Sequence, residues 1–323
     1  HVLFLSLIIS QDYPKKKFYK REKHAAKIMG RDDRKYGDHS GNRVLCRFYN
    51  HGSIGDQSSS FSGVYPIGSG HSYIWEFSPV VAASVVDTNG FRRHIVSDGI
   101  SGLVDASPEG TPWSFEPLSG YSNPNQENLA MSDNQNSWPN SWPNRTEDWN
   151  GEWNGQYGKY VRADQESYFV VDDRYNSEFE FWPDQNDIPE DPTVSPDEHR
   201  RGLGIEMEAR GYQWNHPAAE DIIIVTYWIT NVGSSVLDSV VFGMYGDADI
   251  GGASSFSDDD AWFDTENDMV YQWDHDNWSS SYGGFRPAYF GWSFLESPGN
   301  PHDGIDNDAV SYTHLRAHET ETN

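Results

Sequence analysis

The stretch Asp221-Ile-Ile-Ile-Val-Thr-Tyr-Trp-Ile-Thr230 decides the fold, because its β-branched and aromatic run is typical of a strand buried in a sheet. The turn sequence Asn231-Val-Gly-Ser-Ser235 follows and leads into a second strand pattern at residues 236–245. We expect the two strands to pair with each other, as consecutive strands do in Ig-like sandwich domains.

More strand patterns lie on both sides of this pair, each bounded by Gly, Asn, Asp or Ser. The sequence Asp87-Thr-Asn-Gly90 separates two of them and predicts a β-hairpin turn. No long window shows the 3.6-residue periodicity of a helix, so we predict an all-β fold with one or two antiparallel β-sandwich (Ig-like) units and long acidic and Trp-rich loops. The other strand patterns are residues 42–50, 73–87, 91–97, 166–172, 204–214, 270–273 and 288–295.

The two ends of the chain differ from the body. Residues 2–9 are mostly apolar, and a run of about eight residues is too short for a membrane span, which needs about 20. The run matches the end of a secretory signal peptide and predicts export, with a buried first strand as the alternative. At the other end, the sequence Val310-Ser-Tyr-Thr-His-Leu-Arg-Ala-His-Glu-Thr320 resembles a translated sequencing adapter, so we expect it to form no part of the fold.

The predicted organisation has six parts. They are a signal-peptide remnant (1–10), a basic leader without fixed structure (11–40), an N-terminal β region (41–118), a Trp/Asn/Pro-rich loop insertion with a short strand (119–200), a C-terminal β-sandwich region (201–309) and the adapter-like end (310–323). The single cysteine, Cys46, lies in a strand pattern and predicts a buried, inert thiol, so the chain is not a disulfide scaffold.

Charge is strongly negative and unevenly distributed. The formal net charge is −27, although residues 1–35 hold ten Lys or Arg against four Asp or Glu. An acidic body repels nucleic-acid phosphates and anionic membrane surfaces and attracts cations. We therefore expect no nucleic-acid partner and no membrane span, and we expect bound metal ions to matter.

Carboxylates cluster most densely between Asp247 and Asp276, where ten acidic residues occur without a Lys or Arg. The spacing of Asp247, Asp249, Gly252 and Asp258 partly matches an EF-hand loop, with Gly251 in place of the usual fifth-position ligand. A hard divalent cation would relieve the repulsion between these side chains, so we predict bound calcium; a merely solvated acidic run is the alternative. The candidate ligands are Asp247, Asp249, Asp258, Asp259, Asp260 and Asp264, and, in a second acidic motif, Asp303, Asp306 and Asp308.

Tryptophan is concentrated in one polar loop, where the sequence Ser-Trp-Pro-Asn occurs twice and Trp-Asn-Gly occurs twice. Exposed indole rings could stack on sugars, and the alternative is that they anchor a long loop onto the sandwich. The candidate sugar-binding residues are Trp138, Trp142, Trp149 and Trp153. Motifs for phosphate-binding loops, zinc proteases, nucleophile elbows and dinucleotide binding are missing from the sequence, so no reaction is identified.

Four segments, residues 163–173, 212–217, 241–251 and 294–300, together resemble a group of large, uncharacterised, secreted bacterial proteins that are rich in β structure. Members of that group often end in a sorting domain for type IX secretion. The resemblance implies export to the outside or outer surface of a bacterium, and it implies no activity. We therefore expect a calcium-stabilised structural or adhesive module. The alternative is a surface protein that binds or degrades polysaccharide through the Trp-rich loop, and the expected partners are extracellular polysaccharide or other surface proteins.

Overall fold

The computed structural model describes the backbone of residues 2–9 and 296 and, in full, residues 34–55, 62–100, 113–176, 178, 201–233, 235–252 and 255–295. The fold is all-β, as predicted, and the described residues contain no helix of seven residues or more. Within those ranges, no helix has the length and apolar character needed to cross a membrane.

Fourteen strands are described, and they form three sheets. The largest sheet has the strand order β12-β13-β14-β1-β10-β9-β8-β6, with β7 also paired to β8; a second sheet has the order β11-β4-β5, and β2 pairs with β3. The strands are β1 (Val2–Ile9), β2 (Tyr36–His39), β3 (Cys46–Tyr49), β4 (Ile74–Val86), β5 (Arg92–Asp98), β6 (Glu116–Pro117), β7 (Ala130–Met131), β8 (Gln165–Asp172), β9 (Ile205–Gln213), β10 (Ile222–Asn231), β11 (Asp238–Ala248), β12 (Asp259–Asp264), β13 (Met269–Asp274) and β14 (Tyr289–Glu296).

The strand that decides the fold, β10, lies inside the largest sheet. It pairs antiparallel with β9, and its other edge pairs in parallel with β1. Ile223, Val225 and Tyr227 are buried on the same face, as the alternation of a strand requires. Strand β1 also pairs in parallel with β14, so residues 2–9 form a strand between β14 and β10.

The predicted pairing of β10 with the following strand is wrong. Strand β11 leaves the largest sheet and pairs antiparallel with β4 in the second sheet, with Phe242 opposite Val81. Between β10 and β11 the chain therefore passes from the largest sheet to the second sheet.

The two larger sheets pack face to face around one main core. The Phe77 ring on β4 contacts Phe290 and Trp292 on β14, and Phe242 on β11 contacts Tyr227 on β10. Edge-to-face aromatic pairs of this kind add to the stabilisation from buried apolar area. These contacts are consistent with a β-sandwich in which the two larger sheets share the main core of the described part of the chain.

The β4–β5 hairpin forms at the predicted turn. The carboxylate of Asp87 accepts hydrogen bonds from the backbone N–H groups of Asn89 and Phe91, and Gly90 has a positive φ of 83°. Asp and Gly suit these turn positions, because the Asp side chain replaces backbone acceptors and Gly adopts positive φ without strain.

The predicted leader extends too far into the fold. Residues 36–39 form β2, and the Arg34 guanidinium makes an ion pair with Glu116 at 2.7 Å. The basic composition of residues 11–40 concealed a short strand at its end. Cys46 is fully buried in β3, as predicted, and burial raises the pKa of its thiol to about 12.

Candidate functional site

The acidic run lies on a β-hairpin rather than on loops. Asp259, Asp260 and Asp264 belong to β12, which pairs antiparallel with β13, and Asp247 belongs to β11. The prediction that these carboxylates sit on loops is therefore wrong for four of them. Asp is uncommon inside strands, and its density here concealed the strand pattern of Asp259-Asp-Ala-Trp-Phe-Asp264.

The hairpin brings three carboxylates together at its open end. Asp258 precedes β12, whereas Asp274 ends β13 and Asp276 follows it, and one oxygen of each lies within 4.8 Å of the others. Two oxygens that bind one calcium ion at 2.3–2.6 Å can be no more than about 5 Å apart. The acidic hairpin end, defined as Asp258, Asp274 and Asp276, therefore meets the distance limit for a shared cation.

Asp274 is the interior member of this group, with 3% of its surface exposed. The Ser255 hydroxyl donates to its Oδ2 at 2.8 Å, and the Trp278 backbone N–H donates to its Oδ1 at 2.8 Å. An ionised carboxylate has about four lone-pair positions, so two remain for another ligand. The two neighbouring donors fix the orientation of this buried carboxylate.

Asp259 lies beside the acidic hairpin end, opposite Asp274 in the β12–β13 register. Its Oδ2 accepts a hydrogen bond from the Ile250 backbone N–H at 2.9 Å. Its Oδ1 is buried, and among the described residues it has no hydrogen-bond partner. Burial raises the pKa of Asp259 to about 7, and the negative charges of Asp274, Asp249 and Asp258 also raise it. The Asp259 Oδ1, which has no hydrogen-bond partner among the described residues, therefore lies near three more carboxylates.

The EF-hand-like spacing does not describe this geometry. Asp258 meets Asp274 and Asp276, and Asp247 and Asp249 are outside that group. Asp247 accepts a hydrogen bond from the Tyr245 hydroxyl at 3.2 Å, within β11. Burial and the charge of Asp247 raise the pKa of Asp249.

Two other predicted ligands have protein partners. Asp260 contacts the Nδ1 of His275 at 2.6 Å, and this contact raises the pKa of His275. Asp264 accepts hydrogen bonds from the side chain of Asn267 and the backbone N–H of Glu266, which lower the pKa of its carboxyl. Asp264 therefore stabilises the hairpin turn, at the end remote from Asp274. The predicted ligands Asp303, Asp306 and Asp308 lie outside the described residues.

Asp274 and Asp276 were counted in the acidic run but were not among the predicted ligands. The signal that could have identified them is the hairpin itself. The β12–β13 register places Asp258 opposite His275, between Asp274 and Asp276 in the sequence, so the three carboxylates share one end of the hairpin.

The four tryptophans of the loop pack inward. Trp142 and Trp153 are each 2% exposed, and they form a small second core with Tyr168 on β8. The Trp153 ring N–H donates to Glu166 at 2.7 Å, and the Trp142 ring N–H donates to the Glu152 carbonyl at 3.0 Å. Buried rings have no free face for a sugar, so the predicted platform is wrong for these two residues.

Trp138 and Trp149 are partly buried against the same core. The Trp138 ring N–H donates to the Met131 carbonyl at 2.7 Å, and the guanidinium of Arg145 lies 4.3 Å from the ring centre of Trp149. The structure therefore supports the alternative that the sequence left open, in which tryptophans anchor the long loop on β8.

A buried Ser–His contact joins β2 to β8. His39 Nε2 lies 2.8 Å from Ser167 Oγ, and both residues are completely buried. Among the described residues, His39 Nδ1 has no hydrogen bond of ordinary geometry, although the side chain of Gln213 lies close enough to raise the pKa of the ring. Burial lowers the pKa of His39 to about 3, which keeps the ring neutral at physiological pH. We interpret the pair as structural.

No protein-family model, curated protein or solved structure matches the chain.

Proposed function

We propose that the chain is a non-enzymatic structural or adhesive module whose β-sandwich is stabilised by calcium at the acidic hairpin end. One observation carries the proposal: Asp258, Asp274 and Asp276 converge within 4.8 Å, with Asp274 buried. Calcium prefers carboxylate and carbonyl oxygens and tolerates irregular geometry, which suits ligands from two strand ends.

The charge distribution supports a cation at this position. The run from Asp247 to Asp276 has no Lys or Arg of its own, and the buried Oδ1 of Asp259 adjoins the group. Carboxylates this close repel one another, and a divalent cation bound at the acidic hairpin end offsets that repulsion.

The proposed location is outside a bacterial cell or on its outer surface. The site has three protein carboxylates, and two of them are exposed. Such a site suits the modest affinities of extracellular calcium modules, whose Kd values are about 10⁻⁴–10⁻³ M. The resemblance to secreted bacterial proteins points the same way. Other surface proteins or extracellular polysaccharide are the proposed partners.

Thermal unfolding tests the calcium part. We expect millimolar CaCl₂ to raise the melting temperature by several degrees relative to EGTA, since a ligand at 100 times its Kd adds about 2.7 kcal/mol. Sodium chloride at matched ionic strength controls for general screening of a chain with net charge −27.

A matched pair of variants locates the effect. Asp276→Asn removes a carboxylate of the acidic hairpin end, whereas Asp264→Asn makes the same change at the turn of the same hairpin. The calcium shift should largely disappear in Asp276→Asn and persist in Asp264→Asn. Equal shifts in both variants, or no calcium shift in the unmodified chain, would contradict the proposal.

A further inference from the structure

The hairpin that carries the acidic end also presents a row of aromatic side chains on its outer face. Trp262 on β12 pairs with Tyr271 on β13, and Trp273 on β13 contacts Tyr289 on β14. We define these four residues as the outer aromatic row. Alternate residues of β14, Phe290 and Trp292, pack inward on the core. Because successive side chains of a strand point to opposite faces, the row faces away from the core.

The rings of the row are close and partly aligned. The centroids of Trp273 and Tyr289 are 5.9 Å apart with an angle of 27° between their planes. Tyr271 lies 5.5 Å from Trp273 and 6.1 Å from Tyr289. Gly291, opposite Tyr271, adds no side chain that would cover the rings.

Large exposed aromatic side chains on an outer sheet face are not explained by folding, which favours burying them. Trp262 is 62% exposed and Tyr289 is 44% exposed. The buried indoles of the Trp-rich loop show the contrasting, structural use of tryptophan in the same chain.

The charged groups beside the outer aromatic row restrict the kind of ligand that it can bind. Asp260, paired with Trp273 and bonded to His275, and Asp264, at the turn, place carboxylates at its two ends. Carboxylates accept hydrogen bonds from hydroxyl and amine groups, and they repel anionic polymers and anionic lipid surfaces. The net charge of −27 also disfavours a second copy of the chain.

We infer that the outer aromatic row binds a polysaccharide chain without anionic groups, with sugar rings stacked on Trp262, Trp273 and Tyr289 and hydroxyls bonded to the flanking carboxylates. Aromatic faces pack well on the C–H faces of sugar rings, and a row of them suits an extended chain better than a single sugar. This site is separate from the Trp-rich loop, and the inference rests on the proposed polysaccharide partner but not on the proposed calcium site.

Binding assays with defined glycans test the inference. We would measure retention on insoluble cellulose, chitin and chitosan, and retardation in native gels that contain xylan. Each assay would be run in EGTA and again in CaCl₂, so that a failure of the calcium proposal can be distinguished from a failure of this inference. Alginate serves as the anionic comparison. We expect binding to at least one non-anionic glycan, quenching of tryptophan fluorescence on binding, and no binding to alginate.

Variants assign the binding to the row. Trp262→Ala and Tyr289→Ala should each weaken it about tenfold or more. Phe91→Ala, which removes a ring that is also 62% exposed but lies beyond the β4–β5 turn, should leave it unchanged. The melting temperature of each variant would be compared with that of the unmodified chain, and Tyr289→Phe keeps the stacking ring if an alanine variant fails to fold.

Three results would overturn the inference. They are failure to bind every non-anionic glycan, equal binding by the row variants and Phe91→Ala, and a concentration-dependent dimer in light scattering that Trp262→Ala abolishes. The last result would assign the row to a contact between two copies of the chain.

Discussion

His39 shows how a single buried side chain links stability to pH. Burial lowers its pKa to about 3 in the folded chain, from an ordinary value of 6.5. Between these values the unfolded chain binds a proton that the folded chain does not, so stability falls as the pH drops below 6.5. We expect this residue to account for a loss of up to about 3 kcal/mol between pH 7 and pH 4.

Urea unfolding of His39→Gln at both pH values measures that loss. The variant should lose clearly less stability than the unmodified chain when the pH is lowered from 7 to 4. His216→Gln, which changes an exposed histidine, should behave like the unmodified chain. An unchanged pH dependence in His39→Gln would show that the ring is not the proton-linked group.

Trp153 provides a second test at the residue scale, because the structure gives it an anchoring role. Trp153→Ala removes a buried ring and leaves Glu166 without its indole donor, so we expect the free energy of unfolding to fall by about 3–5 kcal/mol. Trp149→Ala, at a partly buried ring, should cost clearly less. Chemical denaturation measures both, and equal, small losses would contradict the anchoring role.

Asp173 controls how one element begins. The residue is fully buried, and its Oδ1 accepts from the backbone N–H of Ile205 at 2.9 Å while its Oδ2 accepts from that of Leu203 at 2.6 Å. It thereby orders the chain where β9 starts, beside the end of β8. Ser97 on β5 donates to the same carboxylate and ties the second sheet to this corner.

We expect Asp173→Asn to destabilise the fold by roughly 2–4 kcal/mol, because an amide presents donors where the backbone also donates, and each hydrogen bond to a charged acceptor contributes about 1.5–3 kcal/mol. Urea unfolding measures the loss. Asp238→Asn, at an exposed ion pair with Arg92, is the matched control and should change stability by less than about 1 kcal/mol. Similar losses of unfolding free energy in both variants would contradict the role of Asp173 in ordering the start of β9.

The elements that the sequence predicted well are those in which local pattern and burial agree. Strands β4, β5, β9 and β10 were each predicted to within about two residues, since apolar alternation and turn residues mark their ends. Strand β12 was missed because its Asp residues read as a loop, and a short strand beginning at Tyr36 was hidden by basic neighbours. The partner of β11 could not be predicted, because pairing between distant strands depends on packing rather than on local sequence.

The candidate functional sites were also predicted only in part, because composition indicates a region and not the particular residues. The acidic composition predicted a cation-binding region, yet the particular carboxylates depend on the β12–β13 register, which brings Asp258 to Asp274 and Asp276. The high density of tryptophan in the sequence identified the Trp-rich loop, but composition alone does not say whether an indole ring points inward. Trp142 and Trp153 point inward, whereas the less conspicuous Trp262 is exposed.

At the scale of the whole molecule, a chain with net charge −27 folds into a sandwich around one main apolar core, and its densest group of carboxylates lies on one hairpin. Self-repulsion of this size opposes a compact state. A cation at the open end of the β12–β13 hairpin would join the two strand ends and lower the repulsion where it is greatest. The hairpin would then be held by calcium on one side and by the core contacts of β14 on the other.

A crystal structure of the chain grown in millimolar CaCl₂, with anomalous data collected at a wavelength where calcium scatters, tests this claim most directly. We predict an anomalous peak at the open end of the hairpin, with oxygens of Asp258, Asp274 and Asp276 at the calcium–oxygen distances of 2.3–2.6 Å. The three carboxylates turned apart into solvent, with no peak between them, would contradict it.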